Sequence, residues 1–284
     1  LAAVLALGCA CGYLLGGRYP MEWAPVDAGE HSGVEESKAR LLALGVPDYV
    51  LNDLTAEDLA ACDGAILVVV DVDDYPVNSG RRVSHSYWIG GERHTNIHTV
   101  YDVKELRITG VGVELPGERW MLIQHFLWTT PPGFCGTESI QLWPAYRAGM
   151  EGWRSGGALT GRVLYDEGGQ TYAAPYCFLG EQTFAYDSLF WGQQIRDDLF
   201  AAFSLPRDGE NCRGYVAYPI ERVRDGYIVD GWFNYTHQQS WMQYPVMTAM
   251  ENQMTNGWNW EGVFYEVSTA LQFYQNEEGV RLLG

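Results

Sequence analysis

Lysine is nearly missing from this chain. Of 18 basic residues among 284, only Lys38 and Lys104 are lysines, and the arginines form no run or stripe. Acidic residues number 36, leaving a formal charge of −18. Nucleic acid needs a cationic footprint for its phosphates, and an anionic lipid surface needs one for its headgroups, so neither partner is expected. Short catalytic signatures are also missing. The sequence has no G-x-S-x-G, no H-E-x-x-H, no P-loop and no G-x-G-x-x-G in a strand–helix–strand context. Without a C-x-x-C spacing, a zinc site built from paired thiolates is not expected either. No nucleophile stands beside a suitable base.

Aromatic rings are plentiful. They make up 14% of residues against 19% charged, the composition of a folded chain and not of a disordered one. A chain this long buries roughly three quarters of the surface its unfolded form exposes. It accommodates one large β domain or two smaller ones.

The first stretch, "LAAVLALGCACGYLLGG", is apolar up to Arg18. A membrane-spanning helix needs about 20 apolar residues. Residues 1–17 are therefore expected to be the end of an anchor helix or the apolar region of a secretory signal. Cys9 after "ALG" offers a lipid-attachment alternative, and a buried N-terminal helix is the structural one. Opening on Leu1, the chain is expected to lack its natural start. Residues 18–33 read as a linker.

Export would permit disulfides. Cys9 and Cys11 lie in the apolar run. Cys62, Cys135, Cys177 and Cys212 allow three pairings, which sequence cannot choose between, or four buried thiols.

Residues 34–63 carry helical periodicity and form an expected collar. "VEESKARLLAL" ends at Gly45, suited to a helix C-cap. Thr55 and Asp58 resemble a capping box. Beyond Gly64 the period changes to two, with β-branched and aromatic runs separated by Gly, Pro and Asp. Residues 64–284 are therefore expected to be mainly β, an antiparallel sandwich of jelly-roll-like form, divisible into two lobes near 150–185. "VGVELPGERWMLIQHFLW" and "AAFSLPRDGENCRGYVAYPI" echo one another, as an old duplication would. Met247, Met250 and Met254 fall at helical spacing, and "YDSLFWGQQIRDDLF" is also readable as helix after Asp187.

The clearest local signal is "GYVAYPIERVRDGYIVDGWFNYTH", where Asp225-Gly226 predicts a two-residue hairpin. That turn sets Ile220 opposite Gly231, Tyr218 opposite Phe233 and Val216 opposite Tyr235. Alternation gathers Val216, Tyr218, Ile220, Val229, Phe233, Tyr235 and His237 on a core face. Tyr215, Ala217, Glu221, Asp230, Trp232, Asn234 and Thr236 fall on the other. Trp232, Tyr215 and Asn234 then form a ligand-stacking surface. Glu221 lies across from Asp230, about 5 Å away, the carboxylate spacing of retaining glycosidases. Arg222 and Arg224 stand close enough to neutralise that pair. Pro219, which cannot donate to a ladder, demands an edge strand or a bulge.

Metal chemistry has few candidates. Asp71 and Asp73 share one side of a strand, with Asp74 at its end, and such oxygens suit Ca²⁺. A solvated strand end is the structural alternative. His94 and His98 in "HTNIH" are about 13 Å apart on a strand, too far to share a metal, though His85 could approach either. His125 and His237 read as hydrogen-bonded core histidines. No cofactor is expected. "NYT" at Asn234 matches a glycosylation acceptor.

The expectation is a membrane-anchored, extracytoplasmic β-sandwich without catalytic function, sensing or binding a glycan or protein. It is held at the outer face of the membrane, or secreted after signal cleavage. A sensor requires a cytoplasmic part upstream of Leu1. The alternatives are an envelope-associated glycan hydrolase using Glu221 and Asp230, and a structural subunit of a surface assembly. Nothing in the sequence sets an oligomeric state.

Overall fold

A computed structural model describes residues 19–75, 84–89, 91–96, 105–144, 153–188, 192–222, 228–238, 264–276 and 279–282. The apolar leader, the turn at Asp225-Gly226, His98 and the Met247–Met254 helix lie outside the described residues.

The collar is three short helices, α1 (Glu35–Leu44), α2 (Asp48–Asp53) and α3 (Ala56–Ala61). Gly45 ends α1 in the left-handed region at φ 109°, its N–H bonded to the carbonyls of Leu41 and Leu42. Only glycine enters that region without penalty. At α3, Thr55 Oγ1 accepts from the Asp58 N–H at 3.1 Å, the first half of the expected capping box. The second half is rerouted. Thr55 N–H donates to the Tyr215 hydroxyl at 3.0 Å, and that hydroxyl donates to Asp58.

The remainder is mainly β, in two antiparallel sheets. In chain order the strands are β1 (Ala24–Pro25), β2 (Leu67–Tyr75), β3 (Ser84–Ile89), β4 (Glu92–Asn96), β5 (Leu106–Leu115), β6 (Arg119–Trp128), β7 (Thr137–Pro144) and β8 (Trp153–Ser155). They continue as β9 (Thr160–Glu167), β10 (Gln170–Ala174), β11 (Phe178–Ser188), β12 (Gly192–Ser204), β13 (Glu210–Arg222), β14 (Ile228–Gln238), β15 (Phe264–Asn276) and β16 (Gly279–Leu282). The first sheet runs β1-β10-β9-β13-β6-β5-β2-β3-β4, with β8 also beside β13, and the second runs β11-β12-β7-β14-β15-β16. Strands from before and after residues 150–185 interleave in both sheets.

Two cores follow from alternation. Between the sheets, Trp120, Leu122, Phe126, Trp128, Val216 and Tyr218 of the first meet Leu142, Phe203, Phe233, Tyr235, Leu271 and Phe273 of the second. Burying each large side chain of this kind contributes about 1.5–3 kcal/mol. On the other face of the first sheet, Val68, Val70, Val111, Val113, Ile123 and Ala217 pack under Leu41, Val50, Leu51, Leu54 and Leu59 of the collar segment. Both faces of the first sheet are thus covered, and its central strands are buried residue after residue.

The expected hairpin from Gly214 to His237 does not form. β13 belongs to the first sheet and β14 to the second. β13 has β6 along one edge, and β9 and β8 along the other, so no edge remains for β14. Pro219 is accommodated in this central strand without a bulge at its own position. β9 pairs as far as Ala217 and β8 starts at Ile220, so the missing N–H falls in the gap between them. The seven residues assigned to the core face are nevertheless buried between the sheets, at 0–2% exposure. Alternation sorted the faces correctly, although the partners were wrong.

Two further expectations change. Residues 192–204 are strand: β12 is laddered to β11 and β7 on its two sides, which overrides any local helical tendency. The echoed segments play different parts. β5 and β6 form a hairpin within the first sheet, whereas β12 and β13 lie in separate sheets.

Among the described residues the tightest backbone approach is at Gly161, φ 145°, where an added Cβ would sit 2.1 Å from the Tyr215 carbonyl oxygen. From Tyr19 on, the stretch read as a linker lies along the globule. Tyr19 N–H donates to Ser204 Oγ at 2.8 Å, Trp23 packs edge-on against Tyr165 at 4.8 Å, and β1 pairs with β10.

Candidate functional site

The sequence candidates separate in space. Glu221 lies opposite Arg119 of β6 and Arg154 of β8, whereas Asp230 lies opposite Gln272 of β15. The two residues therefore belong to different sheets, and the expected cross-strand register between them is not made. The predicted register depended on a hairpin that β13 has no edge to form.

Tyr215 also leaves the expected stacking surface. It is 0% exposed, on the collar side of the first sheet, with its hydroxyl committed to Thr55 and Asp58. Asp58 additionally accepts from Thr160 Oγ1 at 2.7 Å. Burial, then the Asp58 charge, pushes the Tyr215 phenol well above its ordinary range. This side chain pins the collar to the sheet.

Trp232 and Asn234 lie on the outer face of the second sheet. Their backbone partners are Trp143 and Gln141 on β7, and Ala270 and Ser268 on β15. Asn234 is buried at 5%, alongside Gln141 and Thr236. Trp232 remains partly exposed. The surface-stacking trio thus reduces to Trp232, with another tryptophan at the register position opposite.

The aspartates of β2 are not a solvated strand end. Asp71, Asp73 and Asp74 are all under 9% exposed. Alternation with Val69 turns Asp71 and Asp73 toward the second sheet. Asp73 accepts from the Tyr75 hydroxyl at 3.0 Å and from Thr269 Oγ1 of β15 at 2.8 Å. Asp74 faces the collar side, where Arg107 Nε donates to it at 2.8 Å and the Arg107 guanidinium lies over the Tyr49 ring. His85 pairs with Asp73, and His94 with Tyr87, in the backbone register. The side chains of His85 and His94 lie outside the described residues. Among the described residues no group of three or more His, Cys, Asp or Glu side chains is arranged to hold a metal.

Two buried polar centres were not anticipated as units. Under the collar, His125 Nε2 lies 2.8 Å from Asp53 Oδ2, and Arg213 Nε donates to the other Asp53 oxygen at 2.8 Å. Arg213 also reaches Asp166 at 3.0 Å. Burial raises the Asp166 carboxyl, but bonds from Arg213, Asn211 and Thr171 outweigh it and hold the group below its ordinary value. Arg162 donates to the Asp53 carbonyl at 2.9 Å and to Glu30 at 2.8 Å, tying the end of α2 and the stretch before the collar to β9.

Between the sheets, His237 Nδ1 lies 2.8 Å from Glu138 Oε1, and Trp128 Nε1 donates to the Tyr235 hydroxyl at 3.0 Å. Burial raises the Glu138 carboxyl, only partly offset by His237 and Tyr235. Glu138 is one of three consecutive polar residues, Thr137 to Ser139, and no alternation distinguished it. In both centres the imidazole and carboxylate are at most 3% exposed, a geometry for holding elements together. A dissolved substrate does not reach it.

Cys62, Cys177 and Cys212 are free thiols, of which only Cys177 is exposed, and Cys135 is half-buried. No helix among the described residues is long and apolar enough to cross a membrane. Compared with known proteins, the chain matches no family model and shows no significant similarity to a curated protein.

Proposed function

We propose that this protein is a membrane-anchored, extracytoplasmic β-sandwich of jelly-roll-like form that binds an external glycan or protein ligand without transforming it. The address rests on the apolar run before Arg18 and on the acidic, lysine-poor composition. The reading of the domain as a binder is carried by one observation. Trp232 stays partly exposed on the outer face of the second sheet, paired in register with Trp143 and beside the small Ala270. An indole next to a small residue offers a flat apolar platform to a sugar ring or a peptide side chain. The buried imidazole–carboxylate pairs favour the same reading, because they serve packing.

Screening the full chain against glycans and extracellular proteins tests it, with Trp232→Ala as the control. Loss of the indole is expected to weaken the captured ligand by about 2 kcal/mol, on the order of thirtyfold in Kd. Circular dichroism should be unchanged. A ligand held equally well by Trp232→Ala overturns the platform.

A further inference from the structure

The way the chain enters the domain fixes which end of the domain faces the bilayer. Only Arg18 separates the apolar run from Tyr19, and one residue spans at most about 4 Å. Tyr19 itself is fastened, its N–H donating to Ser204 Oγ at 2.8 Å. The next residues are fastened too. The Cys177 thiol donates to the Pro20 carbonyl at 3.0 Å, and the Ser204 N–H reaches Met21 Sδ at 3.5 Å. Ser204 is the last residue of β12 and lies opposite Thr137, the first of β7. The anchor therefore meets the globule at one identifiable end, formed by the loops 129–136 and 205–209.

We propose that this end, and not a broad face or the opposite end, rests on the headgroup layer of a lipid leaflet. The inference depends on the membrane-anchored reading given above. Tyr19 and Trp23 are the amphipathic rings that favour the membrane–water interface. Pro131 and Gly133 of the first loop and Arg207 of the second are exposed. Asp208 and Glu210 are also exposed at this end, so the leaflet it suits is zwitterionic. The opposite end carries the Pro116–Glu118 turn and the Glu118–Arg222 ion pair, and points away from the bilayer. Trp232 is six residues before Gln238 at the anchored end of β14, about 20 Å up the strand. The proposed ligand platform is thereby held clear of the lipid.

The test uses the full chain with its leader, in zwitterionic nanodiscs doped with a gadolinium-chelating lipid. Amides of Gly133 and Gly209 should broaden roughly tenfold or more relative to those of Gly117 and Glu118, which stand about 30 Å away along β6. If the chain copurifies with the discs but the four amides broaden equally, or in the reverse order, the orientation is wrong while the anchor stands. If the chain with its leader does not associate with the discs at all, the anchored reading fails and the orientation falls with it.

Discussion

His237 sets its Nδ1 2.8 Å from Glu138 Oε1 in the core between the sheets, where neither side chain is more than 3% exposed. A buried pair of this kind is a weak source of net stability, but breaking it is costly, because the remaining partner keeps its desolvation penalty. His237→Leu should destabilise the protein by about 3–5 kcal/mol, read from denaturant midpoints. Replacing both residues by apolar ones should recover much of the loss. If His237→Leu costs under about 1 kcal/mol, the pair is not the buried interaction described here.

The same carboxyl gives stability a pH slope. Burial raises Glu138 in the fold above an unfolded value of about 4.3. The native state therefore binds more protons than the unfolded one, and the group's contribution is present below the unfolded value and lost as pH rises. Wild type should lose stability relative to Glu138→Gln as pH climbs from about 4 toward neutrality. Urea midpoints of both proteins measured across that range should converge or cross. Parallel curves contradict the shift.

Tyr215→Phe removes one hydroxyl that serves both Thr55 N–H and Asp58. The expected cost is about 1–3 kcal/mol, the loss of a buried bond with a charged acceptor. Amide exchange should accelerate in residues 48–61 and remain unchanged in β14. Uniform acceleration would mean that Tyr215 does not act locally on the collar.

Gly161→Ala should be among the most damaging single-methyl changes available. The new Cβ meets backbone 2.1 Å away, at a φ of 145° that alanine rarely adopts. More than about 3 kcal/mol is expected, seen as a lost or strongly lowered thermal transition. A soluble variant with a native melting temperature would show that β9 and β13 do not approach as described.

Thiol alkylation should be ordered. Cys177 is exposed, whereas Cys62 and Cys212 are buried and pushed up to about 12, by burial first and then by the neighbouring Asp58 and Cys135 respectively. Since the thiolate is the nucleophile, peptide mapping after iodoacetamide at pH 8 should find Cys177 modified first. Cys62 and Cys212 should react only in denaturant. Equal rates would contradict the packing around them.

What the sequence settled was local. Gly45 ended a helix because a left-handed C-cap requires its freedom, and Val216, Tyr218, Phe233 and Tyr235 fell on core faces because side chains alternate along any strand, whatever its neighbour. Pairing is not local. Asp225-Gly226 argued for joining β13 to β14, but strands compete for edges across the whole chain, and β6, β8 and β9 had taken both edges of β13. That competition moved Glu221 away from Asp230, set Tyr215 under a collar more than 150 residues upstream, and left Trp232 partly exposed. It also brought Glu138 to His237 across 99 residues, a meeting that no period or spacing in either segment encodes. Faces follow from the geometry of one strand, but partners follow from the packing of all of them.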